Sequence, residues 1–290
     1  MNDDRLIFME DEIGNMPATE SLFHVIPVPW EASVSYGGGT AQGPEEILKA
    51  SDQLEVWDGQ SIPAEKGIHT LAALDCSGDP EEVLTRIEQA TATSLKAGAV
   101  PVLLGGEHTV TLGALRAVAA TGKKVGVIQF DAHADLRDTY EGSPYSHACV
   151  MHRALDIELP LFQIGIRSLS PAEVKLRQEL TIPGIDGPDL PLSPPKSPLL
   201  PEDFPEAVYV TFDVDGLDPS LMPATGTPEP GGLFWHQAMW LLDAIATERT
   251  IIGFDVVELA PIPDMHAPQF ICARLAYNLM GMIARQSDSQ

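Results

Sequence analysis

The chain has 290 residues, 44% of them hydrophobic, enough to bury a sizeable core in one large domain or two small ones. Its 42 acidic side chains against 17 Lys and Arg give a formal net charge of −25. That balance excludes a nucleic-acid backbone or an anionic membrane as partner, and it fits either a cleft that draws cations or a solvated acidic surface.

In chain order, the opening Met1-Asn2-Asp3-Asp4-Arg5 lacks the basic flank and apolar core of a secretory signal. No apolar run approaches the roughly 18 residues that span a bilayer. Three separated cysteines without a CxxC pair (Cys76, Cys149 and Cys272) fit a reducing compartment, so the expected location is cytoplasmic. Short apolar runs at 22–28, 100–104, 125–130, 161–166, 207–212 and 250–254 read as buried strands, and helical patterns separate several of them. Over 80–98, Asp79 and Glu82 have capping-box spacing, Pro80 suits the first turn, and Val83, Leu84, Ile87, Thr91 and Leu95 form one face. Segment 235–246 repeats the pattern with Ala238, Leu241, Leu242 and Ile245. Between them, the proline-rich stretch 181–205 forbids a regular helix or central strand and reads as a surface loop. Strands alternating with helices predict a parallel sheet covered on both faces, hence an α/β fold.

The polar residues cluster where those strands end. Gly105-Gly106-Glu107-His108, Asp131-Ala132-His133-Ala134-Asp135 and Asp213-Val214-Asp215 each directly follow or close an apolar run. In an open parallel sheet the crevice at the carboxyl ends of the strands is where ligands bind. His108, Asp131, His133, Asp135, Asp213 and Asp215 offer four carboxylates and two imidazoles, a donor set suited to two divalent cations. Alternate residues of the Asp131–Asp135 stretch would share one face of an extended chain, and Asp213 and Asp215 have the same period. Read singly, each Asp would be a cap or turn residue and His108 a structural histidine; three such motifs together point instead to metal-assisted hydrolysis. These ligands must converge from positions far apart in sequence, so 1–290 reads as a single domain. The planar cationic head of a substrate would need a carboxylate, and the segment after the last strand supplies Asp255 and Glu258, of which Glu258 is the expected partner.

GGEHTV at 105–110, DAHAD at 131–135, YSHA at 145–148, TFDVDGLDPS at 211–220, GTPEPGGL at 226–233 and FDVVELAP at 254–261 resemble the signature segments of the ureohydrolases, the arginase and agmatinase family. PWEASVSYGGGTAQGPEEIL at 29–48 and DLRDTYEG at 135–142 are more similar to agmatinases than to arginases. The resemblance covers nearly the whole chain. It implies a three-layer α/β/α fold around a mainly parallel eight-stranded sheet and a centre of two Mn2+ ions. Matching positions would place His108, Asp131, Asp135 and Asp213 on one ion and Asp131, His133, Asp213 and Asp215 on the other, with Asp131 and Asp213 bridging. His147 matches the family's proton-shuttling histidine and Glu258 the carboxylate that binds the guanidinium; Asp135 is a second candidate for proton transfer.

The implied reaction is hydrolysis of a guanidino group to urea and an amine, with agmatine giving putrescine, in a homo-oligomer of three or six subunits. Guanidinobutyrate, arginine and aminopropylagmatine are alternative substrates. Leu136, Arg137 and Asp138 stand where arginases carry the Asn that contacts an amino-acid head, which argues against arginine; Asp138 and Glu141 are candidate partners for a distal ammonium. Ala148 and Cys149 depart from a common Gly-Thr, and Phe234 replaces a common helix cap. A one-zinc deacetylase, a two-metal phosphoesterase and a non-catalytic metal-binding relative are rival readings. The full ligand set, the lack of basic phosphate contacts and the intact His147 and Glu258 weigh against them in turn. Arg167 is expected to hold the rim through carboxylate hydrogen bonds, and Tyr36–Gly39 reads either as backbone approaching the site or as a plain turn.

Overall fold

The computed structural model describes residues 5–196 and 198–287, so positions 1–4 of the opening lie outside the described residues. Eight strands are laid down in chain order: β1 (Phe23–Val28), β2 (Ile68–Thr70), β3 (Val100–Gly105), β4 (Val125–Phe130), β5 (Leu161–Ile164), β6 (Gly184–Ile185), β7 (Ala207–Asp213) and β8 (Thr250–Val257). They form one sheet in the order β2-β1-β3-β8-β7-β4-β5-β6, and every pairing among them is parallel. The sequence shows six of these strands as apolar runs. β2 and β6 are edge strands of three and two residues with polar or glycine positions, too short to carry a pattern. β6 lies in the proline-rich segment, and an edge is where a sheet tolerates such a stretch.

The uninterrupted apolar runs follow from burial on both faces. In β3, Val102 and Leu104 enter one core while Leu103 enters the other; in β4, Ile128 and Phe130 face the first and Val125 and Val127 the second. The α-helices among the described residues are α1 (Glu10–Ile13), α2 (Gly43–Ser51), α3 (Pro80–Lys96), α4 (Val110–Ala119), α5 (Val150–Asp156), α6 (Pro171–Leu180), α7 (Trp235–Glu248) and α8 (Ala267–Ser287). Helices α2, α7 and α8 pack on one face of the sheet and α3, α4 and α5 on the other, completing an α/β/α sandwich. No helix among the described residues is long and apolar enough to cross a membrane.

Helix α3 starts where its capping box predicts: Asp79 accepts from the Glu82 amide at 3.0 Å and Glu82 accepts from the Asp79 amide at 3.4 Å. Its Val83, Leu84 and Ile87 are essentially fully buried, each worth about 1.5–3 kcal/mol by area. Helix α7 has no capping side chain at Phe234; the amide there donates instead to Gln237 Oε1 at 2.8 Å.

The consequence for function lies in strand order. β3, β8, β7 and β4 are four consecutive central strands, and His108, Glu258, Asp213 and Asp131 sit at or just beyond their carboxyl ends. The stacked rings of Phe130 and Phe212, centroids 4.8 Å apart, pack in the core at the last positions before Asp131 and Asp213. Gly106 turns the chain out of β3 so closely against Trp30 that an added Cβ would lie 2.0 Å from the Trp30 carbonyl oxygen.

Candidate metal centre and active site

The six residues singled out as ligands converge. His108 Nδ1 lies 2.9 Å from Asp135 Oδ2, 3.2 Å from Asp131 Oδ2 and 3.4 Å from Asp213 Oδ2. His133 Nδ1 lies 2.9 Å from Asp215 Oδ2 and 3.7 Å from Asp131 Oδ1. The donor atoms thus fall into two groups, His108/Asp131/Asp213 and Asp131/His133/Asp215, which share Asp131.

The local backbone differs from the extended chain expected of these motifs. Asp135 turns out of it into the left-handed region at φ 52°, and Asp213 and Asp215 are joined by a 3-10 turn in which Asp213 Oδ1 accepts the Asp215 amide at 2.9 Å. A tight turn with a short polar side chain brings the two carboxylates onto one side without a strand's alternation. Glu258 also holds a positive φ, 67°, pinned by its amide bonding to the Gly106 carbonyl at 2.9 Å. A bulky residue held in that region costs energy, and such strain concentrates at functional sites.

Electrostatics show why the cluster is a place for cations. Asp131, Asp135, Asp213 and Asp215 are each at most 5% exposed, and none of them has a Lys or Arg ion pair among the described residues. Burial, reinforced by the charges of Asp215 and Asp131, pushes Asp213 well above the carboxylate range, and burial with the Asp131 charge pushes Asp135 up to about 7. For the imidazoles, burial works downward but is outweighed by the carboxylates around them. His108 is raised well above its ordinary value and His133 to about 12.

The proton inventory of His108 sharpens this. Thr211 Oγ1 donates to Asp255 Oδ1 at 2.7 Å, so it accepts from His108 Nε2–H at 2.9 Å. Nδ1 is thereby left to face three carboxylates, in hydrogen-bond geometry with none of them. A metal cation in place of the Nδ1 proton would meet that nitrogen and several carboxylate oxygens aimed at one point. Four carboxylates and two imidazoles, hard and borderline donors, fit two such cations.

Asp255 is spoken for. It is wholly buried and accepts from Thr111 Oγ1, Tyr209 OH, Thr211 Oγ1 and the Phe212 amide at 2.7–3.3 Å. Thr211 is its register partner across the β7–β8 ladder, which fixes that contact. Glu258, by contrast, lines the cavity while its Oε1 accepts the His108 amide at 2.6 Å. Burial, with the nearby charge of Glu107, raises its pKa well above the usual value, and a cationic guest would offset that.

His147 also lines the cavity, and residues that sequence reasoning missed hold it. Ser33 Oγ lies 2.9 Å from Nδ1 and Ser35 Oγ 2.9 Å from Nε2, while the Tyr140 ring meets the imidazole edge-on at 5.9 Å. Burial, with the charges of His108 and His133, lowers the His147 pKa to about 4. Two carboxylates staple the loop carrying the serines: Glu107 accepts from the Ala32 and Ser33 amides and Ser33 Oγ, and Glu31 accepts from the Gly39 and Thr40 amides and Thr40 Oγ1. Within it, the Gly37 amide donates to the Gly226 carbonyl at 3.2 Å, closing one side of the mouth. The GGEH context of Glu107 and the 29–48 segment, which contains Glu31, Ser33 and Ser35, hinted at this arrangement without assigning those residues a role.

The cleft has two connected parts. An inner recess of about 30 Å³ is lined by His133, His147, Asp213, Asp215 and Glu258, and an outer chamber of about 290 Å³ by Arg137, Tyr140, Ser168, Leu169 and Glu173. Asp138 lines neither; it pairs with Arg153 at 2.8 Å and is 74% exposed, so its expected role toward a distal ammonium is not supported. Glu141 also lines neither. Arg167 shapes the rim as expected, but through backbone carbonyls of Gly165, Asp215, Gly216, Leu217, Glu229 and Pro230 rather than carboxylates.

Comparison with known proteins agrees with this geometry. The sequence profile of the arginase family matches residues 21–282. The chain is 39% identical to an N(1)-aminopropylagmatine ureohydrolase of Synechocystis sp., over 94% of this chain and 92% of that protein. It is 36% identical to a protein of the same name from Thermus thermophilus, over 98% and 96%. The crystal structure of the agmatine ureohydrolase of Thermoplasma volcanium superposes with a TM-score of 0.86 at 28% identity, covering 100% of this chain and 98% of that one.

Proposed function

The chain belongs to the arginase family, and from that premise we propose that it hydrolyses the guanidino group of a cationic alkylguanidine, agmatine or an N-substituted agmatine, to urea and an amine. The observation that carries this reading is the inner recess. It gathers Glu258, His147 and the His133/Asp213/Asp215 side of the candidate ligand cluster around one small cavity of about 30 Å³.

His108, Asp131, Asp135 and Asp213 would hold one Mn2+ and Asp131, His133, Asp213 and Asp215 the other. When bound, such ions supply an activated water near neutral pH and stabilise charge developing at the reacting carbon. The remaining work falls to the chain. Glu258 binds the guanidinium and sets its plane, its own position fixed by the His108 amide. Charge-assisted hydrogen bonds of this kind are the strong ones, and burial keeps water from competing. His147, with Asp135 as the second candidate, passes a proton to the departing amine nitrogen. The walls formed by the stapled 31–40 loop exclude bulk water from that transfer.

The outer chamber favours a specific extension of this reading. It is nearly ten times the volume of the recess, and the two relatives named above carry the aminopropyl derivative in their names. A substrate whose amine end is lengthened by an aminopropyl arm would occupy that chamber, whereas agmatine would leave much of it to water. The same reading takes 1–290 as one domain acting as a cytoplasmic trimer or hexamer, which mass measurement in solution checks. Urea release by manganese-loaded protein from agmatine, N1-aminopropylagmatine, guanidinobutyrate and arginine, assayed side by side, tests the proposal. Turnover should be greatest on the two cationic agmatines, and absence of urea from all four would reject it.

A further inference from the structure

His147 is bracketed by two hydroxyls, and counting their protons assigns each a direction. Ser33 Oγ has one proton and lies 3.1 Å from Glu107 Oε1, 2.9 Å from His147 Nδ1 and 3.1 Å from the His147 amide nitrogen. The amide can only donate, so it takes one lone pair of Ser33. Glu107 is 1% exposed and already accepts the Ala32 amide at 2.6 Å and the Ser33 amide at 2.5 Å. Directing the hydroxyl proton at this carboxylate makes a charge-assisted bond, roughly twice as strong as a neutral one, and avoids two oxygens facing each other without a hydrogen. The second lone pair of Ser33 then accepts from Nδ1–H. Ser146 Oγ, 3.5 Å from the same nitrogen, is too distant to compete.

Neutral His147 therefore carries its proton on Nδ1 and its lone pair on Nε2, which accepts from Ser35 Oγ–H at 2.9 Å. Ser35, like His147, lines both the inner recess and the outer chamber, so the hydroxyl bonded to Nε2 also borders the space a substrate would fill. We infer that Ser33 is a positioning residue that fixes the His147 tautomer, and that Ser35 is the relay through which His147 Nε2 exchanges its proton with the leaving amine.

The transfer balances. His147 gains its second proton through Ser35 from the attacking water, and in the transient imidazolium Nε2–H donates to Ser35 Oγ, freeing the Ser35 proton to point into the cleft. As the C–N bond breaks, its electron pair goes to the departing nitrogen, which takes the Ser35 proton while Ser35 takes the one from Nε2. The hydroxyl is regenerated, and His147 returns to the Nδ1–H tautomer.

This inference rests on the ureohydrolase reading for its second half, but its first half is legible without substrate. Nitrogen NMR of 15N-histidine-labelled protein, with His147 assigned by its absence in His147→Asn, reports which ring nitrogen holds the proton. The expected result is a protonated Nδ1 and a bare Nε2, with the bias lost in Ser33→Ala. Ser35→Ala should lower kcat by roughly 10²-fold with KM and metal content little changed. Ser35→Thr, which restores a hydroxyl, should recover most of it with the same thermal stability. An Nε2–H tautomer in the unmodified protein overturns the assignment of Ser33 whether or not urea is formed. Wild-type kcat in Ser35→Ala, or a loss not recovered by Ser35→Thr in a folded, metal-loaded protein, overturns the relay.

Discussion

Replacing Thr211 by Val keeps the shape of the side chain and removes one oxygen on which both Asp255 and His108 depend. That oxygen makes a 2.7 Å bond to Asp255 Oδ1 and a 2.9 Å bond to His108 Nε2, with Thr111 Oγ1 at 3.3 Å. Asp255 retains Thr111, Tyr209 and the Phe212 amide, so its loss falls at the low end of a charge-assisted bond, about 1.5 kcal/mol. His108 is wholly buried, and an unpaired Nε2–H there adds about 1–3 kcal/mol. The sum, about 2.5–4.5 kcal/mol, should lower the melting temperature by roughly 5–15 °C in a chain of this size. Because the hydroxyl also holds Nδ1 toward the carboxylates, Mn2+ affinity should fall about 10–100-fold. Melting curves and calorimetric metal titration read the two effects separately. If Thr211→Val binds metal as tightly as the unmodified protein and melts at the same temperature, the Asp255–Thr211–His108 chain does not orient the ligand.

Three further outcomes follow from the same geometry. Asp213→Asn, which removes a carboxylate facing both His108 and the Asp215 turn, should lose bound metal and nearly all turnover while keeping the fold, as metal analysis and circular dichroism would show; two retained ions with normal activity would contradict this. His147→Asn should reduce turnover by roughly 10²-fold at constant metal content, and an unchanged rate would remove His147 from proton transfer. The Arg137 guanidinium lies over the Tyr140 ring at 5.0 Å in the outer chamber, where it should oppose a cationic tail. Arg137→Gln should therefore raise kcat/KM for aminopropylagmatine relative to guanidinobutyrate by roughly fivefold, about 1 kcal/mol of screened repulsion, and a fall in that ratio would place the tail elsewhere.

What the sequence discloses and what it hides divide along physical lines. A strand buried on both faces must be apolar throughout, so β3 and β4 were visible as runs without any knowledge of their neighbours. β2 and β6, at the sheet edges, lack the length for such a signal. The candidate ligands were legible because each follows a recognisable run and because six donors of matching chemistry recur in three short motifs. Their backbone was not: the left-handed turns at Asp135 and Glu258 occur at residues that rarely adopt them, with no glycine to announce them. The supporting residues stayed hidden for another reason. Ser33 meets His147 from 114 positions away, Glu107 meets the loop from 74–75, and Thr211 meets His108 from 103, contacts that no local pattern encodes. Asp138 misled in the opposite sense. Its position after the motif suggested the cleft, but its side chain turns outward to Arg153.

The central claim is that the recess formed by Glu258, His147 and the ligand cluster hydrolyses a cationic guanidine. Its most direct test is urea release from agmatine and N1-aminopropylagmatine by manganese-loaded protein, with Glu258→Gln, which keeps the shape of the recess and removes its charge, measured beside it. The account predicts urea from both substrates, at higher kcat/KM for the longer one, and a loss of roughly 10²-fold or more in Glu258→Gln at unchanged metal content. Urea formation that is indifferent to Glu258, or none from either substrate with both ions bound, would contradict it.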